Sequence, residues 1–220
     1  NSPRAMDESK RAFIRANTAV MAPPHVPEIS LHLADEAHDL WHKTEEELAE
    51  IGLEPPFWAF GLGGGQGLAR YVLDHPGCVK GRRVLDFATG SGLVAIAAAK
   101  ACATEVTASD IDPFCEAAVA LNAGLNHVEI AYDGRDLLGL ALPDIDVLLA
   151  GDVFFDREMS ARLVPWFSAL TESGIDILVG DPGRSYLPRE RLTLLDAYEV
   201  PVTRALEDAE VKKTSVWLFT

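Results

Sequence analysis

Basic residues are scarce in this chain. Nineteen lysines and arginines stand against 34 aspartates and glutamates, a formal net charge of -15. Such a field repels phosphate backbones and attracts basic partners, which sets nucleic acid at a disadvantage as a substrate. Cysteine is scarcer still. Cys78, Cys102 and Cys115 are odd in number and far apart, with no C-x-x-C pair. This excludes a disulfide scaffold and implies a reducing compartment: a bacterial cytoplasm, or the mitochondrial matrix in a eukaryote. No apolar run approaches the roughly 20 residues that span a bilayer, and the N-terminus has no secretory apolar core, so no membrane role is expected. Core-forming material is not lacking: 48% of the 220 residues are hydrophobic, which excludes a disordered chain. The length suits one α/β domain, expected over 53–220, behind an N-terminal helical extension over 1–52, and a monomer is expected.

The pattern along the chain agrees. Residues 4–20 read as a charged helix ended by Pro23, Pro24 and Pro27, and a second helix is expected over 34–51, closed by Gly52. His38 and His42 lie one turn apart on it, but no third ligand accompanies them, so solvated histidines are the better reading. Residues 55–67, PPFWAFGLGGGQG, read as a loop punctuated by proline and glycine. Strands are expected at 83–88, 105–110, 128–133, 146–152 and 176–181, with helices at 93–102, 113–126, 157–173 and 189–198. That alternation demands a doubly wound parallel sheet covered on both faces. Two further strands, 198–204 and 213–220, have no helix between them and should pair antiparallel.

Strand 83–88 runs into Thr89-Gly90-Ser91-Gly92 and then a helix. Glycines there let a ligand approach the backbone beside a helix N-terminus. Gly90 to Ala95 also satisfies the GxGxxA dinucleotide pattern, with Asp110 at ribose-binding distance, so the loop alone does not separate a dinucleotide from S-adenosylmethionine. Charge separates them. Asp86, Asp110 and Asp112, Asp133 and Asp136, and Asp152 fall in or after successive strands. The ends of parallel strands share one edge, so these carboxylates converge on one crevice. A pyrophosphate is repelled there. An ammonium, a sulfonium and a ribose diol are complemented, which favours S-adenosylmethionine as cofactor. By position Asp110 accepts from the ribose hydroxyls, with Ile111 beside it, and Asp86 receives the methionine ammonium. Gly90 and Gly92 give the ligand room, and Asp136 holds the adenine amino group with the Leu137 amide near the ring. Asp112, before Pro113, is better read as a helix N-cap, and the weaker alternative for Asp86 is a buried turn-former.

Five stretches make the sequence particular: GGGQGLARYVLDHP (63–76), VLDFATGSGLVAIAAAK (84–100), SDIDPF (109–114), GDVFFD (151–156) and GDPGRSYLP (180–188). With them the chain resembles the seven-β-strand lysine methyltransferases of family 16. Within that family it is most similar to the type, in its bacterial form, that acts on the β-subunit of electron-transfer flavoprotein. The resemblance spans about 27–220. It implies a class I, Rossmann-like, seven-stranded fold with an antiparallel last strand, and that β-subunit as protein substrate. It also implies that Trp58, Gly64, Gly65 and Gln66 close over the cofactor, and that Asp152 and Phe155, a D-x-x-F segment, face the acceptor lysine, with Asp152 also near the cofactor. Asp152 would orient the amine and Phe155 or Phe154 would wall its channel; the bland alternative for either phenylalanine is core packing. Three departures stand out. Leu62 replaces an aromatic, Gly67 an alanine, and Ala88 the first glycine of the strand exit, a position that borders the cofactor.

Two rivals share the methyltransferase reading. Glu54-Pro55-Pro56-Phe57 approaches the segment used by amino-group methyltransferases of nucleobases, but it lies before the first strand, and the acidic surface opposes nucleic acid. Another protein substrate, such as a ribosomal protein, is the second. A non-catalytic binding module on the same fold is the third rival, and the intact carboxylate series opposes it.

Overall fold

In the computed structural model, which describes residues 2–201 and 211–220, the domain is a seven-stranded sheet flanked by helices on both faces. The strands are β3 (Arg83–Phe87), β4 (Glu105–Ser109), β5 (Ala131–Asp133), β6 (Val147–Gly151), β7 (Asp176–Asp181), β8 (Leu192–Pro201) and β9 (Val211–Phe219), arranged β5-β4-β3-β6-β7-β9-β8. The first five run parallel, and β9 is antiparallel to both β7 and β8. The chain builds outward from β3 to β4 and β5, then returns to lay β6 and β7 on its other side. The order reverses at β3, where open α/β sheets hold their ligands.

Side chains alternate across the sheet as period two requires. Val84, Val147, Leu149 and Leu178 pack under α5 (Leu93–Lys100) and α4 (Gly63–Asp74), with Val119 of α6 (Pro113–Leu125). Leu85, Leu148, Ala150, Ile177 and Val179 face α7 (Arg157–Glu172). α5 is apolar almost all round because it is buried on every side. Asp112 caps α6 as expected, accepting from the Phe114 amide at 2.9 Å ahead of Pro113.

Before the sheet lie α1 (Pro3–Asn17), the antiparallel pair β1 (Ala19–Met21) and β2 (Leu31–Leu33), and two short helices, α2 (Asp39–His42) and α3 (Glu45–Glu50). Ile14, Ala34, Leu40 and Leu48 share one apolar cluster with Trp58, Phe60 and Cys115, so this region packs onto α6. Asn122 of α6 and Asn126, which caps its C-terminus, accept from the backbone amides of His32 and Ser30, at 2.8 and 3.0 Å.

Five sequence expectations are corrected. The helix expected over 4–20 ends at Asn17, since Thr18 is extended and Ala19–Met21 forms β1. The helix expected over 34–51 is split, because Lys43 is extended and Thr44 starts a new helix by accepting from the Glu47 amide. The expected loop over 55–67 is a 3₁₀ turn, Phe57–Ala59, followed by the first turns of α4. The expected helix over 189–198 is a single 3₁₀ turn and then β8, whose register slips between Leu194 and Asp196. The strand expected at 128–133 forms only over Ala131–Asp133. The last two strands pair antiparallel as expected; residues 202–204 lie outside the described residues.

Candidate active site

The turn after β3 is built from left-handed backbone. Ala88, Gly90 and Gly92 have φ of 55°, 57° and 87°, and the chain reverses tightly into α5. Beneath it Asp86 is buried; its Oδ2 accepts from Thr89 Oγ1 at 2.6 Å and from the Ala95 amide at 3.0 Å. Burial pushes its carboxyl up to about 7, against those two bonds and with help from the nearby Asp110 charge. Asp110, at the end of β4, accepts from the Gly90 amide at 3.0 Å through Oδ2 and from the Asp112 amide at 3.1 Å through Oδ1. Asn122 ties the turn to α6 by donating to the Ser91 carbonyl at 2.8 Å.

Beside Asp110, Ile111 is 70% exposed, an apolar side chain left in water at a crevice edge. Asp136 is also exposed and accepts from the Leu138 amide, while Leu137 is buried in the α7-side core. Asp133 is drawn off by Arg135 at 2.7 Å. The crevice therefore offers glycine backbone, a buried and a half-buried carboxylate, and one bare aliphatic surface. A Cβ at Gly92 would press on Val119 Cγ2 at 3.2 Å, one at Gly90 would meet the Phe57 carbonyl oxygen at 3.6 Å, and the left-handed backbone at both positions favours glycine. These features fit a ligand with a cationic amino acid end, a ribose and a flat base.

Across β3 the ends of β6 and β7 meet the first turn of α4. A Cβ at Gly64 would collide with the Asp152 carboxylate and stand 2.6 Å from the Gly180 carbonyl oxygen; one at Gly180 would collide with the Gly64 carbonyl. Glycine on both sides lets helix and sheet touch backbone to backbone. At Gly67 an added Cβ would run into the Thr214 methyl group, so Thr214 fills the space a side chain there would need.

Asp152 follows β6 in a left-handed conformation, φ 57°, and is largely buried. Its Oδ2 accepts from the Gly65 amide at 2.9 Å, and its Oδ1 faces Arg184 Nη2 at 3.2 Å. The Gly65 amide and a guanidinium thus offset a charge that burial alone would disfavour. Arg184 is aimed by Asp181, whose Oδ2 accepts from the Gly183 and Arg184 amides at 2.7 and 2.8 Å. Phe154 is fully buried against Phe167, whereas Phe155 is 53% exposed and lines a groove of about 250 Å³ with Pro182–Tyr186.

The structure thus gathers Asp86, Ala88, Gly90, Gly92, Asp110 and Ile111 around one turn, and Gly64, Gly65, Asp152 and Phe155 around another. Trp58 is 1% exposed, stacked on Phe114 at 5.9 Å, and Gln66 is buried, accepting from the His25 amide and donating to the Gly61 carbonyl. His38 bonds Asp35 and His42 the Glu36 carbonyl. Two residues that meet Asp152 and Phe155 escape sequence reasoning. Arg184 sits in GDPGRSYLP, a stretch particular enough to have drawn attention, but its partner is invisible without the fold. Phe57 is marked only by its place in a short aromatic turn.

Fold and site together define a class I, Rossmann-like, S-adenosylmethionine-dependent methyltransferase. The magnesium protoporphyrin IX methyltransferase of Synechocystis PCC 6803, solved with bound SAM, has the same fold (TM-score 0.52, 18% identity, 72% of this chain and 80% of that one). A model of the ribosomal protein L11 methyltransferase (PrmA) family matches residues 36–150. The electron transfer flavoprotein beta subunit lysine methyltransferase of Xenopus laevis is 34% identical over 215 residues, covering 95% of this chain and 86% of the relative. That of Homo sapiens is 31% identical over 228 residues, covering 97% and 83%. The chain is therefore a member of the PrmA methyltransferase family and, by relatives that match it nearly end to end, of the electron transfer flavoprotein beta subunit lysine methyltransferases.

Proposed function

We propose that this enzyme methylates lysine side chains on the β-subunit of electron-transfer flavoprotein, with the 53–220 domain carrying the chemistry. The observation that carries the reading is the pairing of near full-length relatives of that activity with Asp152 and the exposed Phe155 beside the carboxylate crevice. The PrmA match ends at residue 150, before Asp152, Phe155 and Arg184, so it bears on the cofactor side and leaves the acceptor side to the longer relatives.

Asp110 would hold the ribose, Asp86 the amino acid ammonium, and Ile111 and the Asp136–Leu137 segment the base, with Gly90 and Gly92 giving clearance. When bound, S-adenosylmethionine supplies a methyl group on a sulfonium; the lysine Nζ lone pair takes it as the C–S bond breaks and its electrons stay on sulfur. Asp152 already accepts from Gly65 and Arg184, so it orients the amine through its remaining lone pairs while the amine proton leaves to solvent. Phe155 excludes water from the approaching side chain. Free lysine titrates at about 10.4, so the rate should climb between neutral and mildly alkaline pH. An enzyme of charge -15 should be steered to a basic loop, so the rate should fall as salt rises. Free thiols at Cys78, Cys102 and Cys115 suit a bacterial cytoplasm.

The test offers the β-subunit, alone and bound to its α-subunit, beside ribosomal protein L11, and locates methyl groups by peptide mass spectrometry. Methylation of the β-subunit is expected; methylation of L11 with none on the β-subunit would overturn the substrate and leave the methyltransferase standing.

A further inference from the structure

The turn Phe57–Ala59 sends its aromatics in opposite directions. Trp58 and then Phe60 go into the core, while Phe57 is 43% exposed. Its ring faces Phe155, centroid to centroid at 6.3 Å with the planes tilted by 39°. Its backbone lies over the cofactor turn, the carbonyl oxygen 3.6 Å from where a Cβ on Gly90 would stand. Phe57 therefore spans the gap between the turn assigned to the methyl donor and the segment assigned to the acceptor. Both rings are also half exposed, leaving apolar surface in water at that point.

We infer that Phe57 is the second wall of the acceptor-lysine slot, opposite Phe155, and that it sets how far methylation proceeds. This rests on the reading that Phe155 faces the acceptor lysine. A methylene chain between two rings makes contacts of about 3.5–4.0 Å on each side, so the walls of an occupied slot stand about 7–8 Å apart. The observed pair needs to widen by about 1 Å, and both rings border solvent rather than packed core. Two ring faces also attract a cation within about 6 Å. Each added methyl thins the ammonium's hydration and strengthens that attraction, so an intact pair retains mono- and dimethyl-lysine while the nitrogen loses its proton to solvent and a fresh donor replaces the spent one for the next transfer.

The experiment compares Phe57→Ala, Phe57→Tyr, Phe155→Ala and the double alanine variant on the flavoprotein β-subunit, with S-adenosylhomocysteine affinity measured by calorimetry. Phe57→Ala should lower kcat/KM about 5- to 30-fold and shift products toward monomethyl-lysine, with cofactor affinity unchanged. Phe57→Tyr should restore both, and the double variant should lose less than the product of the single losses, since the rings act as one unit. Slow Phe155→Ala beside a Phe57→Ala variant of wild-type rate and product pattern would overturn the inference and leave the Phe155 reading intact. A Phe57→Ala defect lying wholly in weaker S-adenosylhomocysteine binding would also overturn it, making Phe57 a cofactor lid. If neither single variant slows transfer, the Phe155 reading fails and the inference falls with it.

Discussion

The two halves of the site are assembled on different length scales. On the proposed donor side, Asp86 bonds Thr89 and Ala95, and Asp110 bonds Gly90 and Asp112, all within one strand–turn–helix unit and its neighbour. On the proposed acceptor side, Asp152 is held by Gly65 and Arg184, and Phe155 faces Phe57, contacts that exist only once α4, β6 and β7 are packed. A local unit keeps its geometry when a neighbour is altered. A long-range one transmits damage to the fold, so changes on the acceptor side should cost stability as well as rate.

The largest effect expected is at Asp152. Asp152→Ala removes the partner of both the Gly65 amide and Arg184, so single-turnover transfer should fall by roughly 100-fold and stability by about 3 kcal/mol. Rapid quench and denaturant melts would report the two losses, and an unchanged melt would dissolve the contrast between the halves. Asp110→Ala should instead weaken S-adenosylhomocysteine binding by about 1.5–3 kcal/mol, with transfer at saturating donor little changed. Equal affinity losses in the two variants would show that Asp152 belongs to the donor half.

Asp86 supplies a pH signature. Its folded carboxyl titrates at about 7, above its ordinary value, so the folded state holds an extra proton in between. Stability should therefore decline as pH rises from about 4 to 7 and stay at the lower level above that. Asp86→Asn should flatten this decline in pH-dependent melts. Binding of an ammonium-bearing ligand at pH 6 should expel a fraction of that proton, visible by calorimetry in two buffers of different ionisation enthalpy. The smallest effect is at Ala88, whose left-handed backbone costs about 1–2 kcal/mol. Ala88→Gly relieves it but loosens the unfolded chain by about 0.5–1 kcal/mol, leaving a stability gain of about 0.5 kcal/mol, read as a small rise in the denaturant midpoint.

The same contrast explains what could be read from sequence. β3, β4, β6 and β7 are short apolar runs ending at Asp86, Asp110, Asp152 and Asp181, and their order and shared edge follow from alternation with helices. The reversal at residues 189–198 failed for a local reason. The extra residue near Leu195 breaks the period-two pattern of β8, and Leu192, Leu195 and Tyr198 then fall at helical spacing. Glycine misled at 63–67, because its usual meaning as a loop signal hides a helix packed too close for any side chain. Arg184 and Phe57 could not be found, since each acquires its role from a partner far along the chain.

That glycine contact has a consequence for the order of folding. The segment from Gly63 to Gly67 holds four glycines, each about 1 kcal/mol less favourable than alanine in a helix. Alone, the first turn of α4 does not form. Its template, Gly151 and Gly180, leaves the ribosome well after it. The turn must wait as coil until β6 and β7 are laid beside β3, and only then coil down onto them, bringing the Gly65 amide to Asp152. The Gly65 bond to Asp152, on which the proposed acceptor side rests, therefore depends on contacts far apart in the chain.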